Sequence, residues 1–300
     1  MSTEAVDPRY LDIDQWPTAS AVEAMFEGQL AAIAAIGSQT VAIARAVDAA
    51  AVRLGRTGRL VYVGAGTSGR IAVQDGVELY PTYNWPQDRM VFLMAGGLDA
   101  LTQAAEGAED DEDAARAAVA AAGVGPDDVV IGVAASGRTP FTIAAVKAAA
   151  QAGALTIGVA NNENTALLAA ADHPLLARTG TEIVAGSTRM KAGTAQKAML
   201  NMLSTAIMLR MGLIHRGLMV NMRVSNAKLR VRGEAMVRDI AQVDADSAAQ
   251  ALDAAGLDIK LAVLIALGSD VGNARTLLAG HDDRLSDAMR AARRGTDDDA

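Results

Sequence analysis

Leu60-Val61-Tyr62-Val63, followed at once by Gly64-Ala65-Gly66-Thr67-Ser68-Gly69-Arg70, is the stretch on which the reading of this fold turns. Four consecutive apolar residues make a short strand buried on both faces, and the glycines after it make a tight turn into a helix over Arg70 to Val77. The same unit recurs downstream. Met90 to Met94, Asp128 to Val133 and Ala154 to Val159 are further apolar runs, His173 to Leu176 is a weaker fifth, and a helix follows the third run from Phe141 to Ala152. Continuous apolar strands alternating with helices predict an α/β fold with a doubly wound parallel five-stranded sheet, covered by helices on both faces.

Outward from that core, Ala19 to Leu54 reads as one or two helices with a break at Gly37-Ser38, and Ala192 to Met211 as one long helix. Glu182-Ile183-Val184 reads as a short edge piece. Asn226 to Val243 is a charged amphipathic helix, and Asp246 to Leu267 a pair of short helices around Ala255-Gly256. The expected organisation is a helical amino-terminal segment over residues 1–54, the α/β domain over 55–225, and carboxyl-terminal helices with a small helical appendix over 226–300, whose charged tail from Arg290 to Ala300 is frayed.

The chain has 300 residues, 51% of them hydrophobic and 21% charged, which suits a globular protein with a large core. A net charge of −8 argues against nucleic-acid and anionic-membrane binding, both of which need a basic face. The absence of cysteine excludes disulfides and thiolate chemistry and fits a reducing cytoplasm. Met1 to Trp16 has no basic-then-apolar pattern of a signal peptide, and the apolar stretch near Leu257–Leu267 is too short to span a bilayer.

Two strand-to-helix junctions share one character: Gly64 to Arg70, and Ala135-Ser136-Gly137-Arg138-Thr139-Pro140. A helix that begins at the carboxyl edge of a parallel sheet offers unpaired N–H groups and a positive dipole end, and the hydroxyls of Thr67, Ser68, Ser136 and Thr139 add donors for phosphate oxygens. One such loop is most simply a helix cap. Two in one sheet point to anion binding. Gly64, Gly66 and Gly69 also match G-x-G-x-x-G, but position 84 is Asn84, the second strand ends in Met94-Ala95-Gly96 without the acidic residue a dinucleotide site needs, and no Walker lysine follows either loop. A third cluster, Thr181-Glu182 through Ser187-Thr188-Arg189-Met190-Lys191 to Thr194, packs hydroxyls and cations before the long helix. His173, His215 and His281 lack metal-ligand spacing, Trp16 and Trp85 read as packing residues, and the methionines of 199–211 as core or dimer contacts.

Taken together, Gly64 to Arg70, Ala134 to Pro140, Glu106-Gly107-Ala108-Glu109-Asp110, Gly186 to Lys197, Leu218-Met219-Val220 and Asn226-Ala227-Lys228-Leu229 resemble the N-acetylmuramic acid 6-phosphate etherase family of the sugar isomerase (SIS) superfamily, which is also similar to glucokinase regulatory protein. The resemblance runs from about Val47 to Leu267 in consistent order. It implies a carbon–oxygen lyase that cleaves the D-lactyl ether by elimination and hydration, giving N-acetylglucosamine 6-phosphate and D-lactate. By that resemblance Glu78 is the general acid and Glu109 the general base. From the residues alone Glu109 would pass for solvated charge in an acidic run. The substrate-binding set is expected to be Gly66, Thr67, Ser68, Ser136, Gly137, Arg138, Thr139, Glu182, Ser187, Thr188 and Lys191. No cofactor and no metal is implied. The expected partners are a phosphorylated amino sugar and a second copy of the chain in a cytoplasmic homodimer, with neither nucleic acid nor membrane.

This chain departs from the family pattern at Leu79-Tyr80 beside the acid, at Asp7 after Thr3-Glu4, at Asn221, and over Asn161 to Thr165. Two other activities fit the same loops: a non-catalytic sugar-phosphate regulator, and an aldose–ketose isomerase that moves the same C2 proton without releasing lactate.

Overall fold

The computed structural model describes residues 2–103 and 105–298, with side chains described as far as residue 293. The chain divides into two units, Met1–Val77 with Gln87–Ile207, and Glu78–Pro86 with Met208–Ala300.

The first unit holds a five-stranded sheet of β1 (Leu60–Gly64), β2 (Met90–Met94), β3 (Val129–Val133), β4 (Leu155–Ala160) and β5 (His173–Leu176), in the order β2-β1-β3-β4-β5. Every pairing is parallel, with Leu60 opposite both Met90 and Val129. The residues of β1, β3 and β4 are buried throughout, as uninterrupted apolar strands require. Glu182–Val184 forms no strand. Its expected edge role fails because the Glu182 carboxylate is engaged by a helix start, described below.

The helices of this unit are α1 (Thr18–Ala34), α2 (Thr40–Leu54), α3 (Gly66–Val77), α5 (Glu112–Ala121), α6 (Pro140–Gln151), α7 (Ala166–Ala170) and most of α8 (Lys191–Arg210); α4 (Leu79–Tyr83) belongs to the second unit. On one face of the sheet Val61, Val63 and Val130 pack with Ala115 and Val119 of α5 and with Phe141, Ala144 and Ala145 of α6. The alanines let these helices approach the strands and one another closely. Among the described residues, Thr18–Leu54 is long and apolar enough to cross a membrane, whereas Ile259–Ala266 reaches that length only together with Val271–Gly280, across a bend of 120°. Thr18–Leu54 is interrupted by a 3-10 turn at Gly37–Gln39, and α2 buries Ile43, Ala46, Val47, Ala50 and Leu54 in packing against β3, β4 and β5.

The second unit contains α9 (Ala227–Ala241), α10 (Ala245–Ala254), α11 (Ile259–Ala266), α12 (Val271–Gly280) and α13 (Leu285–Asp298) around its own core of Met236, Val237, Leu252, Val263 and Leu264. Asn226, Asp244, Asp258 and Asp270 cap the first four helices, each side chain accepting a backbone N–H of the opening turn. The tail expected to fray is helical to Asp298, because Leu285, Ala288 and Met289 are buried in this core and hold α13 in place. Asp299 and Ala300 lie outside the described residues.

Candidate active site

In this strand order the chain passes from β1 to β2 on one side and then places β3 on the other, so the topological switch point lies between β1 and β3. Open α/β sheets form their ligand crevice at such a point, outside the carboxyl ends of the strands. The loops carrying the two hydroxyl motifs follow these same two strands.

The first loop is shorter than the sequence suggests. α3 begins at Gly66, so Thr67 and Ser68 stand in its opening turn. The Gly69 N–H donates to the Ala65 carbonyl at 3.0 Å, leaving the N–H groups of Gly66, Thr67 and Ser68 with no carbonyl a turn earlier to bond. A Cβ at Gly69 would stand 2.9 Å from the Gly64 carbonyl, so only glycine lets α3 start this close to β1.

The second loop turns at Gly137, whose φ of +64° and 2.3 Å approach of a notional Cβ to Thr165 Oγ1 both demand glycine. Ser136 Oγ accepts the Arg138 N–H at 3.1 Å. Thr139 then opens α6, with Pro140 in the first turn, where a missing N–H costs nothing.

Between the loops lies a cavity of about 350 Å³. Gly66, Thr67 and Ser68 line one side, Ser136, Arg138 and Thr139 the other, and Thr188, Glu4, Glu109 and Asp110 complete it. Arg138 is its one basic side chain among the described residues, so an anion bound here would rest mainly on hydroxyls, helix-start N–H groups and that guanidinium.

Glu109 reaches the cavity because Ala108 packs onto the apolar cluster beneath α6 and so anchors the 3-10 turn Ala108–Asp110. The acidic run divides its labour after that. Asp111 caps α5 by accepting the Ala114 N–H at 2.8 Å, and Glu112 and Asp113 pair with Arg116 at 3.0 Å each. Glu109 and Asp110 face the cavity instead. Arg70, from the first motif, donates to the carbonyls of Ala100, Leu101 and Gln103, stapling the connection that leads from β2 toward Glu109.

Other expected residues stand elsewhere. Glu182 is fully buried, and its two carboxylate oxygens accept the N–H groups of Lys191 and Ala192 at 2.9 Å, so it caps α8. Lys191 is also buried and donates from Nζ to the Thr181 carbonyl at 2.8 Å, and burial pushes its ammonium below the usual lysine range. Gly137 and Ser187 are absent from the cavity wall. Glu78 belongs to the second unit and is not among the lining residues.

The departures from pattern have local partners. Asp7 is buried and accepts from Arg9 and, at 2.7 Å, from Thr181 Oγ1; these hydrogen bonds hold its carboxyl far below the ordinary carboxylate range. Asn221 donates to the Tyr83 carbonyl at 2.8 Å, and the Arg223 guanidinium sits 4.8 Å over the Tyr80 ring. Reasoning from sequence missed Glu4 and Asp110 as lining residues. Asp110 could have been suspected as the neighbour of Glu109, whereas Glu4 carried no signal beyond its place in the Thr3-Glu4 pair.

The model of the glucokinase regulatory protein N-terminal SIS domain matches residues 42–150, and that of the SIS domain residues 105–206. The N-acetylmuramic acid 6-phosphate etherase of Deinococcus radiodurans is 48% identical over 93% of this chain and 92% of its own length. That of Streptomyces coelicolor is 45% identical over 97% of this chain and 94% of its own. Among solved structures, a Bacteroides fragilis protein described as a phosphosugar isomerase involved in capsule formation superposes with a TM-score of 0.52 at 20% identity, covering 67% of this chain and 95% of that one.

Proposed function

Because the chain belongs to the N-acetylmuramic acid 6-phosphate etherase family, we propose that the cavity at the β1/β3 switch point holds the sugar phosphate and that Glu109 works on it as general base. The observation that carries this reading is the convergence of Thr67, Ser68, Ser136, Thr139 and Glu109 on one cavity. The activity is that of a carbon–oxygen lyase acting on N-acetylmuramic acid 6-phosphate.

In the open-chain sugar the C1 aldehyde acidifies the C2 proton. Glu109 takes that proton, the C3–O bond breaks, and the departing lactyl oxygen receives a proton from a general acid, the role we assign to Glu78. Water then adds across the C2–C3 double bond of the unsaturated aldehyde, its hydroxyl to C3 and a proton to C2. The products are N-acetylglucosamine 6-phosphate and D-lactate. A positioned acid–base pair contributes about 10²–10⁴-fold per group.

We further assign a homodimer. Val22, Phe26, Leu30 and Ile33 fall on one side of α1 at helical spacing and are 57%, 61%, 56% and 48% exposed, an apolar stripe that a second copy of the chain would cover. The lack of cysteine fits a reducing compartment, and we place the reaction in the cytoplasm.

The direct test is to incubate the purified protein with N-acetylmuramic acid 6-phosphate and assay lactate. Stoichiometric lactate is expected; a ketose phosphate without lactate would point to isomerisation, and saturable binding without turnover to a regulator.

A further inference from the structure

The segment Ser2–Glu4 is fastened to the first unit by one buried side chain and a set of hydrogen bonds. Thr3 is fully buried. Its Oγ1 accepts from Asn162 Nδ2 at 2.9 Å, its carbonyl accepts the Gly186 N–H at 3.1 Å, and Asn162 Oδ1 accepts the Ser2 N–H at 2.9 Å. A second clamp follows at Asp7 through Thr181. The effect is to carry Glu4 to the cavity, beside the turn that presents Thr188, with Glu4 Oε2 only 3.1 Å from where a Cβ on Gly186 would stand.

A third glutamate or aspartate is an odd neighbour for a phosphate. Glu4, Glu109 and Asp110 line the cavity against one arginine, Arg138. A carboxylate beside the dianion would repel it, and the hydroxyls of Thr67, Ser68, Ser136 and Thr139 already serve that end. Glu4 is an acceptor only, so its favourable partner in a sugar is a neutral donor, a hydroxyl or an amide N–H.

We propose that the strap Ser2–Glu4 forms part of the substrate site, and that Glu4 reads the sugar by accepting a hydrogen bond from one of its hydroxyl or amide N–H groups. This rests on the reading that the cavity is the sugar-phosphate site. A site built to pair with a polar group discriminates strongly against ligands lacking it.

The test uses the full-length protein, its Glu4→Ala, Glu4→Gln and Ser68→Ala variants, and two competing ligands of lactate release, N-acetylglucosamine 6-phosphate and inorganic phosphate. Losing a hydrogen bond to a charged acceptor, worth about 1.5–3 kcal/mol, corresponds to roughly 10–150-fold in affinity. Glu4→Ala should weaken N-acetylglucosamine 6-phosphate by at least about tenfold and raise KM alike with little change in kcat, while inorganic phosphate binds as well as before or better. Glu4→Gln, which keeps a carbonyl acceptor, should recover part of the loss. Ser68→Ala should weaken both ligands. Unchanged sugar-phosphate affinity in Glu4→Ala, with Ser68→Ala impaired, overturns the role of Glu4 alone. An equal loss of both ligands in Glu4→Ala also overturns it, since Glu4 would then act by holding the fold. If Ser68→Ala leaves both ligands unaffected, the cavity is not the phosphate site and both readings fall.

Discussion

Tyr62 and Asp75 meet inside the first unit, the Tyr62 hydroxyl donating to Asp75 Oδ2 at 2.8 Å. Asn201 and Ser204 of α8 donate to Oδ1 at 2.6 and 3.2 Å. One buried carboxyl thus ties β1, α3 and α8 together, and α3 is the helix whose first turn presents Thr67 and Ser68 to the cavity.

Burial raises the Asp75 carboxyl above its ordinary value, against the opposing pull of its hydrogen-bond donors. A carboxyl raised on folding holds its proton more tightly in the folded state. Its contribution to stability is therefore fully present below the unfolded value, near pH 4, and is lost as pH rises through the raised value. Asp75→Asn should remove this slope, so that wild-type stability falls relative to the variant as pH rises above about pH 4. Urea midpoints at a series of pH values measure it; parallel curves would count against the assignment.

Gly69 should tolerate no side chain. In Gly69→Ala the new Cβ meets the Gly64 backbone at 2.9 Å and Met94 Sδ at 3.0 Å. Backbone cannot step aside as a side-chain tip can, so we expect a loss of about 1–3 kcal/mol, typical of overpacking. The displaced start of α3 should weaken phosphate binding as well. Thermal unfolding and phosphate inhibition together check this, and a variant with wild-type values in both refutes it.

The two glutamates should fail differently. Loss of the acid leaves C2 deprotonation possible but strands the leaving group, so Glu78→Gln should still exchange the C2 proton of the substrate in heavy water while lactate release falls about 10²–10⁴-fold. Nuclear magnetic resonance of recovered substrate reads the exchange. Normal lactate release in Glu78→Gln would remove Glu78 from the mechanism.

The apolar stripe on α1 predicts its own test. Phe26 is 61% exposed in the single chain, so Phe26→Asp should cost little folding stability yet disfavour burial against a second copy. Sedimentation should find the wild-type chain dimeric and the variant shifted toward monomer. A monomeric wild type contradicts the assignment.

Much of the fold is legible in the amino-acid sequence. Buried strands such as Val129–Val133 announce themselves because both faces must be apolar, and the order of strand and helix then leaves little choice of architecture. The two hydroxyl loops were legible for the same reason: each follows such a strand. Glu182 is expected among the binding residues and stands as the cap of α8, because a carboxylate among hydroxyls and cations has the same local sequence whether it meets a ligand or caps a helix nine residues on. Glu4 was invisible because its place depends on contacts with Asn162 and Gly186, more than 150 residues away in the chain. The division of the acidic run, with Asp111 capping and Glu109 facing the cavity, depends on where Ala108 anchors the turn, which charge pattern alone does not reveal.

The claim that Glu109 draws the proton from C2 is tested most directly by Glu109→Gln with N-acetylmuramic acid 6-phosphate in heavy water. The wild-type product should carry deuterium at C2, and the variant should bind substrate, release lactate at least about 10²-fold more slowly and return its substrate without deuterium. Deuterium entering C2 at the wild-type rate in Glu109→Gln would show that another group is the base.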